Sequence, residues 1–467
     1  MTLSPLFVPV AAQLIPVKTA PVAEGDQFGF LPSANLAMGG VSVALADTML
    51  DPFMNPAKAA RLRRGSFFGS PSFYSLSRNG GGGSTVPLGA YLKRGASFGG
   101  FAAAFQQLNP PRSNNDFVFA ADPRSVGLLA PRSDERTNRY MFGMLGHSFG
   151  APKLSLAGSI FWSRLGGVDG VEQLYPDSRS LEELGDAVDL RFGMLKEWNG
   201  DRSVEAVLVH NRYAMAHDVS FVDNFWDPGT RSTKSKMRFQ HDAERTHTSG
   251  LHLAYTQPLA DSGWRIGALF TGNRTTQPTV PTGTMTLARD PGASSAYNIG
   301  VGVARSRGQE AFGVDAIYEP IWSRTTNVDR IENDKFRFSN VVLRAGVSRA
   351  FDLVSPDNSL RLQAGVQVRA IQSRLDQIDS TQSLVRSHNS WNEWTHSWGA
   401  SFRTGQFEMR YLWRMKSGTG RPGVQNTFGR GGCFDICILP GAPTTTTSII
   451  VPIHVTTQQF SILVALP

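Results

Sequence analysis

From residue 65 onward the chain repeats one pattern: short segments in which apolar and polar side chains alternate. The clearest is 360–370, LRLQAGVQVRA. Leu360, Leu362, Ala364, Val366, Val368 and Ala370 fall on one side, and Arg361, Gln363, Gly365, Gln367 and Arg369 on the other. Successive side chains of a strand point to opposite faces, so this strand has one apolar face and one face that carries charge. Segments 407–415, 341–348, 311–319 and 263–271 repeat the alternation. Others lie near 66–78, 86–94, 97–107, 138–148, 152–164, 187–197, 202–212, 249–258, 295–305, 393–403 and 456–466, sixteen candidate strands together.

One alternating strand suits a soluble sandwich equally well. The connections discriminate. Short links near 95, 149–151, 198–201, 259–262, 306–307, 349–358 and 404–405 alternate with long ones at 79–85, 108–137, 165–186, 213–248, 276–294, 320–335, 373–392 and 416–455. With both termini on one side, all short links fall on that side. This is the up-and-down plan of outer-membrane barrels, with short periplasmic turns and long extracellular loops. Trp264, Trp322, Trp391, Trp394, Trp398 and Trp413 near expected strand ends suit an interfacial aromatic girdle. The expected fold is an all-β transmembrane antiparallel barrel of 14–16 strands.

Composition removes the competitors. No stretch approaches the ~20 apolar residues of a spanning helix. Charged residues are 18% of the chain and hydrophobic ones 41%, the opposite of a disordered balance. Two Cys exclude a disulfide-rich scaffold and a multi-Cys zinc site. The net charge of +8 comes mainly from Arg, spread singly apart from Arg61, Arg63 and Arg64, so no nucleic-acid partner is expected. Gly95-Ala96-Ser97-Phe98-Gly99 fits a nucleophile-elbow pattern, but a strand follows where that motif needs a helix. His241, His247 and His252 have no partner at a metal spacing, and the Gly80–Gly83 run lacks the Lys of a phosphate loop. No enzyme activity, metal or cofactor is expected. Cys433 and Cys437, in CFDIC, lie in an expected exported loop, which favours a disulfide.

The N-terminal part differs. Residues 1–12 read as the end of a secretory signal or as a loose apolar terminus. Residues 28–64 are Ala-rich and Gly-punctuated, with turn or helix starts at Asp51-Pro52 and Asn55-Pro56. Ala37-Met38-Gly39-Gly40, then Val43-Ala44-Leu45-Ala46-Asp47, then Asn55-Pro56-Ala57, resemble the N-terminal signature of FadL-like outer-membrane proteins. That family includes channels for long-chain fatty acids and aromatic hydrocarbons, and its broader relatives include PorV-like barrels. Val86–Tyr91 and Ala96–Phe101 resemble its early hairpin. The resemblance implies that residues 13–64 form a hatch beneath or inside a barrel of residues 65–467.

Arg191, Arg265, Arg344, Arg361, Arg369, Arg410 and Arg414 fall on the non-apolar faces, against Asp189, Glu205, Asp315 and Glu408. They are candidates either for luminal ion pairs or for receiving a solute's anionic head group. The expected protein is an outer-membrane channel for hydrophobic or amphipathic small molecules. The alternative is a PorV-like barrel that partners a secretion or surface-attachment machinery.

Overall fold

A computed structural model of the chain describes residues 14–15, 18, 21–109, 136–150, 153–175, 178–198, 202–259, 262–278, 292–326, 333–353, 358–378, 383–423 and 449–466. Cys433, Cys437 and residues 1–12 lie outside them. The strands are β1 (Ser66–Gly69), β2 (Ser72–Leu76), β3 (Gly82–Arg94), β4 (Ser97–Asn109), β5 (Arg136–Phe149), β6 (Leu154–Leu165), β7 (Ser178–Glu197), β8 (Ser203–Asp227) and β9 (Ser232–Leu259). They continue as β10 (Trp264–Gln277), β11 (Gly292–Arg307), β12 (Glu310–Thr326), β13 (Asn333–Asp352), β14 (Asn358–Ile378), β15 (Leu384–Thr404), β16 (Phe407–Gly423) and β17 (Ile449–Ala465).

From β2 onward each strand pairs antiparallel with the next, and β17 returns to β1 and β2. The sheet is closed. β1 and β2 are halves of one stave, since both pair with β3 and β17 in unbroken register. The break falls at Pro71, which has no N–H for the ladder. Bonds from Ser70 N to Pro87 O (3.0 Å) and from Phe460 N to Pro71 O (2.9 Å) carry the ladder across it. The result is a closed antiparallel barrel of 16 strands. Each of the sixteen alternating segments falls on one stave.

The alternation sorts as the sequence requires. Val301 and Leu145 point outward and are 60% and 75% exposed, surfaces that suit hydrocarbon rather than water. Inward residues such as Asp315, Asn138 and Gln106 are buried. No helix among the described residues is long and apolar enough to cross a membrane.

Two expectations need correction. The segment 213–248, expected as a long loop, is strand apart from the turn at 228–231, and most of 373–392 is strand too: β8 and β9 have 25 and 28 residues, where a spanning strand needs about 9–11. Beyond the bilayer both faces are wet, so Ser232–Phe239 are exposed throughout and show no alternation. Trp391 does not belong to the exterior aromatic set. It packs inward beside Ile321 and Ile371, while Trp394 and Trp398, in the opposite strand phase, are exposed outside.

Candidate functional site

The N-terminal segment lies against the inner wall. It holds a 3₁₀ turn at Leu36–Met38, one helical turn, α1, at Asp51–Met54, and a 3₁₀ stretch at Pro56–Arg61. Between these, Ala37–Ala44 cross the inner faces of β10 to β15 at a distance only glycine allows. A Cβ on Gly365 would lie 2.2 Å from the Gly39 nitrogen, and one on Gly346 2.2 Å from the Met38 oxygen. On Gly267 it would lie 2.3 Å from the Val43 oxygen, and on Gly313 2.5 Å from the Val41 side chain. Gly313 and Gly346 are cross-strand neighbours, as are Gly346 and Gly365, so these three form a continuous stretch of the track; Gly267 pairs with Gly302, whose neighbour on β12 is Asp315.

Side chains flanking the track satisfy the segment's backbone. Asp315 Oδ2 accepts from Ser42 N (2.8 Å) and Val43 N (3.2 Å). Ser397 Oγ accepts from Gly39 N (3.1 Å) and donates to Ala37 O (3.0 Å). Arg344 donates to Gly40 O and Gln363 to Ala34 O. Gly39 and Gly40 have φ of 70° and 73°, the left-handed region open to glycine. Thus Ala37, Met38, Gly39 and Gly40 all lie on the wall.

Asn55, Pro56 and Ala57 sit across the lumen on β7 and β8. Pro56 keeps Asn55 extended, at φ −127°. Asn55 Oδ1 accepts from Ala57 N (3.1 Å), and its Nδ2 donates to Glu205 Oε2 (3.0 Å). Gly193 again leaves the room, since a Cβ there would lie 2.1 Å from Asn55 Oδ1. Lys58 bridges Asp51 (2.8 Å) and Glu205 (3.4 Å). Arg191 donates to Phe53 O (3.0 Å) and Met54 O (3.2 Å), filling carbonyls that the short helix leaves open. The Phe53 ring packs 4.7 Å from Phe142.

A third attachment is Asp26. Its carboxylate meets Arg414, Lys416 and Thr457 from β16 and β17. Burial alone would raise the Asp26 carboxyl, but the two cations outweigh it and hold it well below the usual carboxylate range. Gln27 donates to Gly167 O (2.9 Å) and accepts from Asp169 N (2.8 Å).

A fourth contact is apolar. Ile15 is buried among Ala296, Ile321, Phe338 and Ile371, with Phe336 and Trp391 beside them. Nearby, Lys18 Nζ lies 2.8 Å from Glu393 Oε1, which also accepts from Trp391 Nε1 (3.1 Å).

Of the seven arginines singled out in the sequence, Arg191, Arg344 and Arg414 contact the N-terminal segment. Arg369 pairs with Glu319 on β12 (2.9 Å), and Arg410 with Glu408 on its own strand (2.7 Å). Arg265 lies in the inward phase of β10, and Arg361 is exposed near the short-turn end of β14. Asp26, Ser397 and the glycine track escaped sequence reasoning. A signal existed for the track: Gly267, Gly313, Gly346 and Gly365 all fall in the inward phase of their strands.

These features define an outer-membrane β-barrel whose lumen holds the chain's own N-terminal segment. No protein-family model matches the chain, and no curated protein sequence matches it. Among solved structures it is similar to a Pseudomonas aeruginosa FadL homologue, at 10% identity and a TM-score of 0.47, over 94% of this chain and 99% of that one. It is also similar to the Pseudomonas putida toluene transporter TodX, at 10% identity and TM-score 0.39, over 95% and 98%. CdiB from Escherichia coli follows at 11% and 0.44, over 86% and 63%.

Proposed function

We propose that the barrel takes up hydrophobic or amphipathic small molecules, with the N-terminal segment as a hatch. The carrying observation is the apolar luminal patch under Ile15. Ile321, Phe338 and Ile371 form it within a wall that is otherwise polar there: Ser294, Asn298, Glu319, Asn340 and Ser373 border it on the same strands. Such a patch rewards an alkyl chain or an aromatic ring by about 25 cal/mol per Å² covered and offers a polar solute little. Ile15 covers it now, tethered through the Lys18–Glu393 pair. A solute that displaces Ile15 takes its place and loosens that end of the N-terminal segment. The resemblance of Ala37–Gly40 and Asn55–Ala57 to the FadL-like motif supports the same reading.

The test is binding of a fluorescent long-chain fatty acid and of toluene to the purified barrel, with uptake in a deletion strain. Ile371→Asn should weaken binding about tenfold or more while the barrel keeps its heat-modifiable gel shift. Removing residues 14–18 should strengthen it. Unchanged binding in Ile371→Asn sinks the reading, as does a deletion strain that loses protein secretion but not solute uptake.

A further inference from the structure

We propose that the outer wall carries a binding site for one anionic phospholipid, at the short-turn end of β11 to β14. A groove of about 570 Å³ lies there. Two cross-strand rows line it on the lipid-facing phase. Nearer the turns run Arg307, Glu310, Arg349 and Leu362; one step into the bilayer run Arg305, Phe312, Val347 and Ala364. The outer row is charged except for Leu362 and the next is apolar except for Arg305, so charge gives way to apolar surface across these two rows. Further in, Val303, Val314 and Leu343 continue an exposed apolar face. The step therefore sits at the level of lipid phosphates.

Two of the three arginines are held in place. Arg305 lies over the Trp264 ring at 5.7 Å and Arg349 over Phe351 at 5.4 Å. Glu310, 3.6 Å from Arg349, offsets one of them. Three arginines against one glutamate leave a local charge of +2 (3 − 1). A zwitterionic head group brings a compensating cation to that charge; a phosphatidylglycerol-type head group brings a net anion and accepts paired N–H bonds from guanidinium. Depth comes from Ala364, a methyl flanked across the strands by Val347 and Trp398. An acyl chain beside the phosphate fits that apolar floor. Free phosphate would use the rim and gain nothing from the floor.

Native mass spectrometry of the barrel released from mixed phosphatidylglycerol and phosphatidylcholine nanodiscs tests this. Wild type should retain one phosphatidylglycerol in preference to phosphatidylcholine. Replacing Arg305, Arg307 and Arg349 together by Gln should cut that retention about tenfold, the effect of losing roughly one charge-assisted bond. Ala364→Phe, which fills the groove without changing charge, should cut it as well. Lys335→Gln with Arg337→Gln, on β13 far from the groove, should leave it unchanged. Heat-modifiability of every variant reports that the barrel has folded. Equal retention of the two lipids overturns the proposal, as does a triple variant that binds like wild type. Displacement by millimolar inorganic phosphate, or preference for lipopolysaccharide over phosphatidylglycerol, overturns the choice of ligand.

Discussion

At Gly365 a single methyl would meet the Gly39 nitrogen at 2.2 Å, and the obstruction is backbone, which cannot rotate away. Gly365→Val should therefore push the Ala37–Ala44 stretch off the wall. The strand itself should tolerate Val, which suits pleated backbone. The expected outcome is a barrel with a normal heat-modifiable shift and a higher conductance in planar bilayers. A folded variant as closed as wild type would mean that the contact does not hold the segment. Asp26→Asn attacks a different attachment. It leaves Arg414 and Lys416 facing a neutral amide, and breaking a buried pair from one side costs about 3 kcal/mol or more. Limited proteolysis of the N-terminal segment in the folded barrel should speed up accordingly. Unchanged proteolysis would relegate Asp26 to a bystander.

The N-terminal segment as an element responds to pH in a direction that can be worked out. Burial, with Asp47 and Glu205 nearby, raises Asp51 to about 6 even though Lys58 pulls it down. The undocked segment keeps the ordinary value of about 3.9. As pH falls below about 6, the docked form takes up the proton first, so docking strengthens down to about pH 4. Asp26, held low, stays ionised through that window and keeps its partners. Conductance should thus fall or stay level between pH 7 and pH 5, and Asp51→Asn should flatten the profile. A pH profile that Asp51→Asn leaves unchanged would contradict the assignment to Asp51. For a strand, the matching test is β14. Val366→Arg, facing lipid, should cost about 2–4 kcal/mol if near the midplane, and Gln367→Arg, beside Arg344 in the lumen, much less. Equal costs, read by urea unfolding in detergent, would mean that the alternation does not mark a lipid boundary. Such strands were legible because a bilayer forces one face to be apolar, as Val366 against Gln367 displays. The tips of β8 and β9 were not, because water bathes both their faces. Trp391 and Trp394 differ only in phase, which composition near strand ends does not convey. The Asp26 cluster joins residues 388 to 431 positions apart, and no local pattern announces such a meeting.

For the whole molecule, the barrel's closure does not involve the segment that fills it. β17 pairs with β1 and β2, so the ladder has no open edge, and edges are what membrane barrels must avoid. Among the described residues the segment adds one isolated bridge, Val22 to Gly420, and otherwise touches the wall through side chains and close backbone contacts. Those wall groups, Glu205, Asp315, Arg344 and Arg414, face the lumen. If the segment leaves, water replaces its contacts, which removes the desolvation that makes buried charges costly. Deleting residues 28–57 should therefore leave a chain that still inserts and closes. It removes the glycine-track contacts and Asn55-Pro56-Ala57 together, so the truncated barrel should conduct ions in planar bilayers while the intact protein stays mostly closed. Heat-modifiability of the truncated protein separates the two ways the experiment can go against this. A folded, truncated barrel with the conductance of the intact one would show that the segment does not limit passage. A truncated chain that never closes would show that the wall needs the segment to assemble, a structural role in place of a gate.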